Sequence, residues 1–310
     1  MTISRMLSGT SKSGGNKGIF GYGTNGGDLS TVNTVNNIGV LSSDVTGVGT
    51  ERVSLAAANY GVGKGIFGYG RVSILNERVS MTNLVSDTGV VASDTTGIGQ
   101  VRYNLAAAEY GTDKSLFGYG ISGTTVYSLT NKISNTGVVA SDTTGVGTAR
   151  NGLAAAGYGT DKAIFGYGRP NTGSSYSLTN LVSNTGVVAS DTTGVGTARF
   201  ALAASEYGTD KGIFGYGVSG SSTMSSLTNL ISNTGVVASD TTGVGTARYS
   251  CSSCIYGSDK SIFGFGTNNS FGTTYLSMTN LVSNTGVVAS DTTNSSATGR
   301  WGVASCSYGT

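Results

Sequence analysis

The sequence predicts an all-β protein, a six-bladed β-propeller with four antiparallel strands in each blade. Three observations lead to this fold class. A unit of about 49 residues recurs six times along the chain. Each unit contains four short apolar runs separated by turn residues. The chain stops in mid-repeat at residues 308–310, and the missing continuation stands at residues 16–23. We therefore expect the C-terminal strand to join the N-terminal blade and close the ring.

Three charged residues mark the register of the repeats. The arginine series is Arg52, Arg102, Arg150, Arg199, Arg248 and Arg300. The lysine series is Lys17, Lys64, Lys114, Lys162, Lys211 and Lys260. The aspartate series is Asp44, Asp94, Asp142, Asp191, Asp240 and Asp291. Since each lysine stands at a hairpin turn, we expect the lysines to face solvent.

The strands are predicted most clearly in the copy that begins at Arg150. Residues 153–156 form an Ala-rich first strand, and residues 162–167 form a second strand that contains Phe165 and Tyr167. Residues 177–182 and 186–190 form the third and fourth strands. Gly, Asn, Asp and Ser fill the intervening segments, as is typical of turns. The small first strand fits the innermost position of a blade, where blades converge.

This unit resembles a kelch repeat. The resemblance lies in R-x-x-L-A-A-A-x-Y-G-T-D-K-x-I-F-G-Y-G at residues 150–168, and it covers residues 17–310. Gly-Tyr-Gly replaces the double glycine of kelch repeats, and the only tryptophan, Trp301, lies on an inner strand. The resemblance implies a propeller fold. The near-identical Gly/Ser/Thr-rich copies also resemble, in style, structural repeat proteins encoded by phages. We expect one propeller domain over residues 16–310, preceded by an extension at residues 1–15.

Composition argues against several classes of protein. Only 11% of the residues are charged, and the formal net charge is +2, so no basic patch for nucleic acid is expected. No apolar run approaches the roughly 20 residues of a membrane span, and residues 1–16 lack the apolar core of a signal peptide. Location in a virion, or otherwise in the cytoplasm, is expected. Cys251, Cys254 and Cys306 are interpreted as small core residues of a protein made in a reducing compartment.

The sequence favours a protein that is not an enzyme and needs no cofactor or metal. It contains no histidine, which removes the commonest general base and metal ligand. The aspartates occur once per blade in Ser-Asp-Thr-Thr turns, where they are expected to bond nearby backbone and shape the turn. The glycines of Phe-Gly-Tyr-Gly precede no helix, so we expect them to allow close blade packing rather than to bind phosphate.

Two sets of residues are candidates for a binding face. The repeated arginines either pair with the aspartates at the entry to each inner strand or form a guanidinium ring around one mouth of the channel, able to hold an anion. The variable loops after the second strand, at residues 24–30, 71–78, 121–127, 169–176, 218–225 and 267–275, should share one face with the Asp-to-Arg connections. The candidate residues are Arg52, Arg102, Arg150, Arg199, Arg248, Arg300, Arg71, Arg78, Arg169, Phe271 and Tyr275.

These features predict a structural or interaction propeller, a component of a phage tail, fibre or capsid decoration whose partners are other proteins. A first alternative is a multivalent lectin with six equivalent glycan sites, built around Tyr167, Arg150 and their equivalents. A second alternative is a kelch-like intracellular adaptor that binds an acidic peptide through the arginine mouth. No nucleic acid and no membrane span are expected.

Overall fold

A computed structural model describes residues 15–220, 222–269 and 273–310, and the predicted extension lies outside these ranges except for Gly15. All regular structure in the described ranges is β, and every strand pair is antiparallel. The prediction of an all-β protein is confirmed. The described residues contain no helix long and apolar enough to cross a membrane.

Each repeat forms one three-stranded sheet, with the Ala-rich strand at one edge, the Lys-initiated strand in the middle and a Thr-Asn strand at the other edge. We call these the inner, middle and outer strands. In that order, sheet 1 contains Ala304–Tyr308, Lys17–Gly21 and Val32–Val35; sheet 2 Ala56–Tyr60, Lys64–Gly68 and Thr82–Val85; sheet 3 Ala106–Tyr110, Lys114–Gly118 and Thr130–Ile133; sheet 4 Ala154–Tyr158, Lys162–Gly166 and Thr179–Val182; sheet 5 Ala203–Tyr207, Lys211–Gly215 and Thr228–Ile231; sheet 6 Ser252–Tyr256, Lys260–Gly264 and Thr279–Val282.

The hairpin between inner and middle strands has the turn that the sequence predicts. In sheet 4 the two strands pair from Ala154 opposite Gly166 to Tyr158 opposite Lys162. Gly159, Thr160 and Asp161 connect them, and Gly159 and Thr160 have φ values of +59° and +68°. Three-residue hairpin loops that contain a residue in the left-handed region are common, and this loop fixes the register of the two strands. The lysine at each such turn is exposed or half-buried, as expected.

The predicted fourth strand of each unit is wrong in detail. Residues 186–190 form no regular strand and touch the outer strand through isolated bridges such as Val182 to Val188. The reason lies in Asn180, whose side-chain Nδ2 donates to the carbonyl oxygen of Ala189 at 3.0 Å. This side-chain bond stands where a continuous backbone ladder would run. The fourth segment is therefore bound to its sheet by a mixture of side-chain and backbone contacts.

Short strands also occur in several variable loops. They pair Arg71–Val72 with Glu77–Arg78, Ile121–Ser122 with Thr125–Val126, and Arg199–Phe200 with Val218–Ser219 and then Thr223–Met224.

The two ends of the chain meet in sheet 1. Its inner strand comes from the C-terminus, and its middle and outer strands come from the N-terminal part. The pairing runs from Lys17 opposite Tyr308 to Gly21 opposite Ala304, in the same register as in the other sheets. The prediction that the C-terminal strand joins the N-terminal strands is confirmed.

Neighbouring sheets contact one another in a sequence that returns to its start. Each inner strand contacts the inner strands of the preceding and following sheets, and the inner strand of sheet 1 contacts those of sheets 6 and 2. Backbone hydrogen bonds follow the same order. The second glycine of each Gly-Tyr-Gly or Gly-Phe-Gly donates to the carbonyl oxygen of the repeated arginine of the next sheet, as Gly120 does to Arg150 at 3.0 Å and Gly266 to Arg300 at 2.9 Å.

Aromatic side chains fill the joints between sheets. Phe165 of sheet 4 packs edge-on against Tyr119 of sheet 3, with ring centroids 5.1 Å apart. The joint between sheets 6 and 1 has the equivalent pair Phe265 and Phe20 at 5.2 Å. A Cβ atom on Gly118 would lie 2.6 Å from the Phe165 ring. The glycine of the Phe-Gly-Tyr-Gly motif therefore gives the neighbouring phenylalanine its space, which confirms its predicted packing role.

The three cysteines are buried thiols, as predicted. Burial raises the pKa of Cys251 and of Cys254. Cys254 in sheet 6 and Cys306 in sheet 1 each face a glycine of the next sheet. A Cβ on Gly18 would lie 2.4 Å from the Cys254 Sγ atom, and a Cβ on Gly65 would lie 2.3 Å from the Cys306 Sγ atom.

Candidate functional site

The six repeated arginines are buried inside the protein. Arg150 is representative: its Nε donates to the Tyr167 carbonyl oxygen at 2.7 Å, and its Nη2 donates to Asn180 Oδ1 at 2.6 Å. Its guanidinium lies 4.4 Å from the ring centroid of Tyr119 in the preceding sheet. All six side chains have 0% exposure: Arg52, Arg102, Arg150, Arg199, Arg248 and Arg300. The expectation of an open guanidinium ring is therefore corrected, because these groups bond the sheets together and have no surface for a ligand.

The repeated aspartates complete the same joints. Asp191 accepts hydrogen bonds from the Thr148 backbone N–H at 2.9 Å and from Asn180 Nδ2 at 2.9 Å, and it lies 3.8 Å from Arg150 Nη1. Partial burial raises the pKa of the Asp191 carboxyl, but these hydrogen bonds and the guanidinium outweigh it and lower the pKa. The aspartate thus holds the incoming connection against its own sheet. The aspartate bonds a backbone N–H and lies beside an arginine, as expected, but the N–H belongs to the incoming connection and not to the turn of the aspartate itself.

The same interaction joins the chain ends. Asp44 accepts the Thr298 backbone N–H at 3.0 Å and lies 3.8 Å from Arg300 Nη1.

A ring of six backbone hydrogen bonds joins the six repeats to one another, at the end of the inner strands where the variable loops lie. The second residue after each repeated arginine donates its N–H to the carbonyl oxygen of the equivalent residue in the preceding sheet, at 2.7–3.0 Å. Their φ values lie between +51° and +65°. The ring consists of Ser54, Asn104, Gly152, Ala201, Ser250 and Gly302. We call it the floor ring.

Two further rings of residues stand above the floor ring. The first mouth position follows each repeated arginine and holds Val53, Tyr103, Asn151, Phe200, Tyr249 and Trp301. The second mouth position follows each Gly-Tyr-Gly or Gly-Phe-Gly and holds Thr24, Arg71, Ile121, Arg169, Val218 and Thr267. In every sheet the two positions form an antiparallel bridge. The scaffold is thus repeated six times, whereas the side chains on it differ.

These rings enclose a cavity of about 460 Å³, which we call the cup. Residues of the floor ring line its base, and both mouth positions line its walls. Three of the predicted candidates meet here: Arg71, Arg169 and Tyr275. Arg78 belongs to the same loop as Arg71 but is not among the lining residues, and Phe271 lies outside the described residues. Residues 24, 26–28 and 72–74 of two variable loops line a second cavity together with residues 49–51 of an Asp-to-Arg connection, which agrees with the expectation that loops and connections share a face.

The two arginines of the cup stack on aromatic rings. The Arg169 guanidinium lies 3.7 Å from the Phe200 ring centroid, and that of Arg71 lies 6.0 Å from the Tyr103 ring centroid. The Nε atoms of both arginines are buried and have no hydrogen-bond partner among the described residues. Burial lowers the pKa of Arg169, and the nearby Tyr103 phenol partly offsets this effect. The joint arginines Arg102 and Arg199 also have an unpartnered Nε, but every joint arginine donates through Nη2 to an asparagine, and no such acceptor faces Arg71 or Arg169 among the described residues.

Below the floor ring, all six inner strands line one narrow central channel. Its two described segments have volumes of about 110 Å³ and 70 Å³, and their walls are mostly alanine and serine. Glu109 and Glu206 lie at its far end and are buried. The small side chains of the first strand thus occupy the innermost position, as the sequence predicts.

Four of the aromatic side chains of the cup were not among the predicted site residues. Tyr103, Phe200, Tyr249 and Trp301 each follow an arginine that is present in every repeat. That contrast, a variable position directly beside an invariant one, was the available signal. No protein-family model matches this chain, and no curated protein sequence is significantly similar to it.

Proposed function

We propose that the protein is a six-bladed β-propeller that acts as a non-enzymatic binding protein and holds its ligand in the cup. The cyclic order of sheet contacts and the hydrogen bonds of the floor ring support the propeller fold. The kelch-like pattern of the repeat unit agrees with it. A rigid ring of sheets that presents variable side chains at one mouth is a typical binding arrangement.

The pattern of variation between repeats carries this proposal. The valine that opens the fourth segment is 56–66% exposed, and yet it is identical in all six repeats: Val40, Val90, Val138, Val187, Val236 and Val287. The first mouth position, in contrast, holds five different residue types, four of its six side chains being aromatic. Neutral drift would have changed the exposed valines as readily as the residues at the first mouth position. Divergence concentrated around one cavity favours selection for a ligand.

The chemistry of the cup favours binding over catalysis. Its lining residues include no carboxylate, thiol or imidazole that could transfer a proton or attack a substrate. Two arginines, several aromatic rings and hydroxyl groups remain, and no carboxylate or imidazole in the lining stands ready to activate a hydroxyl for attack.

A ligand screen with matched variants tests this proposal. The full chain is screened against glycans, small organic acids and short peptides by ligand-observed NMR. The variants Phe200→Ala and Trp301→Ala alter the cup, and Val187→Ala removes an exposed apolar side chain that lies outside the cup. We expect binding to be lost in the cup variants and retained in the edge variant. Ligands that bind all four proteins equally would refute the cup as the binding site.

A virion component remains the narrower proposal for the biological setting. The specific observation that favours it is the set of six exposed valines, which presents the same apolar contact six times around the molecule. Such a surface fits repeated contacts around a six-fold axis of an assembly. The protein should then co-purify with intact particles, and recovery exclusively as a free monomer from infected cells would refute this setting.

A further inference from the structure

The charge of the cup is unbalanced. Its lining contains Arg71 and Arg169 and no aspartate or glutamate. Neither side chain forms an ion pair with any described residue. The buried Nε of each arginine has no hydrogen-bond acceptor among the described residues, which is costly, and an anion that accepts its hydrogen bond removes that cost. The cup therefore favours a negatively charged ligand.

The walls add flat apolar surface and hydroxyl groups. Tyr249, Tyr275 and Trp301 line the cup together with the two aromatic rings that the arginines cover. Ser54 and Ser250 contribute to its base. Aromatic faces carry partial negative charge and attract the polarised C–H groups of a sugar ring, while the surrounding polar groups suit its hydroxyls.

The size and backbone pairing of the cup argue against an extended peptide. Cavities of roughly 300–1,000 Å³ hold small-molecule ligands, and the cup, at about 460 Å³, lies in this range. Extended peptides usually bind by pairing with an exposed strand edge. Here the backbone of the floor ring is paired with itself, and the mouth positions are bridged in every sheet.

We propose that the cup binds one anionic sugar residue, carboxylated or sulfated, with the acidic group between Arg71 and Arg169 and the ring against the aromatic wall. This inference rests on the proposed function and names the ligand class of the same site. It differs from a lectin with six equivalent sites, because Arg150, Tyr167 and their equivalents are buried in the joints. The site is single because the two arginines occur in two sheets only.

The test is isothermal titration of the full chain with three pairs of probes. Trigalacturonate is compared with its methyl ester, which keeps the ring but removes the charge. A galactose disaccharide sulfate is compared with its desulfated parent, and an acidic hexapeptide with its amidated form. The first two pairs distinguish a carboxylate from a sulfate source. Arg71→Gln and Arg169→Gln remove the proposed contacts, and Arg78→Gln is the matched control on the same loop.

We expect at least one acidic sugar to bind with a stoichiometry of one, and its neutral partner to bind roughly tenfold more weakly or not at all. Each cup variant should weaken binding by a similar factor, while Arg78→Gln leaves it unchanged. Thermal unfolding of each variant verifies that it is folded. Equal binding of the neutral partner, or binding of the acidic peptide alone, would refute the sugar assignment while leaving the cup as a binding site. Binding that no cup variant alters would refute the proposed function as well.

Discussion

Replacing a joint arginine by methionine should strongly destabilise the protein. In Arg150→Met, the Tyr167 carbonyl oxygen and Asn180 Oδ1 lose their buried donors. Each buried acceptor left without a partner costs about 1–3 kcal/mol. The stacking of the guanidinium on the Tyr119 ring is lost as well. Relief of the desolvation of a buried cation offsets part of the loss, so we expect the free energy of unfolding to fall by about 3–5 kcal/mol.

The matched variant is Arg300→Met, because Arg300 makes the same contacts between the two ends of the chain. Its Nε donates to the Tyr22 carbonyl oxygen at 2.8 Å, and its Nη2 donates to Asn33 Oδ1 at 2.6 Å. Urea unfolding followed by circular dichroism measures both variants. The control is Arg78→Met, a half-buried loop arginine that donates to the Asn76 carbonyl oxygen, with an expected loss below about 1 kcal/mol. A loss below about 1 kcal/mol for Arg150→Met would refute the structural role of the joints. A much smaller loss for Arg300→Met than for Arg150→Met would refute an equivalent joint at the chain ends.

Three further predictions follow from the same packing and charges. Gly166→Ala places a Cβ 2.5 Å from the Phe214 ring and should cost about 1–3 kcal/mol in urea unfolding, whereas Gly27→Ala enters open space and should be nearly neutral. The folded pKa of the joint aspartates lies below the unfolded value of about 3.9, so their stabilisation is complete at neutral pH and is lost as the pH falls through the folded pKa. Urea unfolding at pH 7, 4 and 3 should show this loss, and a flat profile would contradict it; the groups concerned are Asp44, Asp94, Asp191, Asp240 and Asp291. The three buried thiols should react with a thiol reagent only after denaturation, and rapid labelling of the native protein would contradict their burial.

The sequence was sufficient for the strands because six copies repeat the same local signals. Short apolar runs and turn residues such as Gly159, which has a positive φ, act within a few positions of the chain, and the repeats place them in register. The meeting of the chain ends followed from the same register. The structure of the fourth segment was harder to predict. It depends on the hydrogen bond from the Asn180 side chain to the backbone of residue 189, and strand propensity does not encode such a contact.

The candidate site was predicted in part. Arg71, Arg169 and Tyr275 were found because variable loops on a fixed scaffold commonly bind ligands. The repeated arginines were misjudged because their acceptors lie far along the chain. Arg150, for example, bonds Asn180, thirty positions away in sequence. Charged residues are usually exposed. Six guanidiniums can be buried here because carbonyl oxygens and asparagine amide oxygens accept their hydrogen bonds, and these acceptors are brought close only by the fold.

The cysteine–glycine contacts on either side of sheet 1 bear on how the chain chooses its own partner strands. Six near-identical hairpins favour mispairing, because the C-terminal strand could pair with the middle strand of another repeat or of another molecule. The sulfur of Cys254 occupies space that is free because Gly18 has no side chain, and the sulfur of Cys306 does the same at Gly65. Side-chain shape on both sides of sheet 1 therefore favours the native position of the C-terminal strand over pairing with another repeat of the same chain.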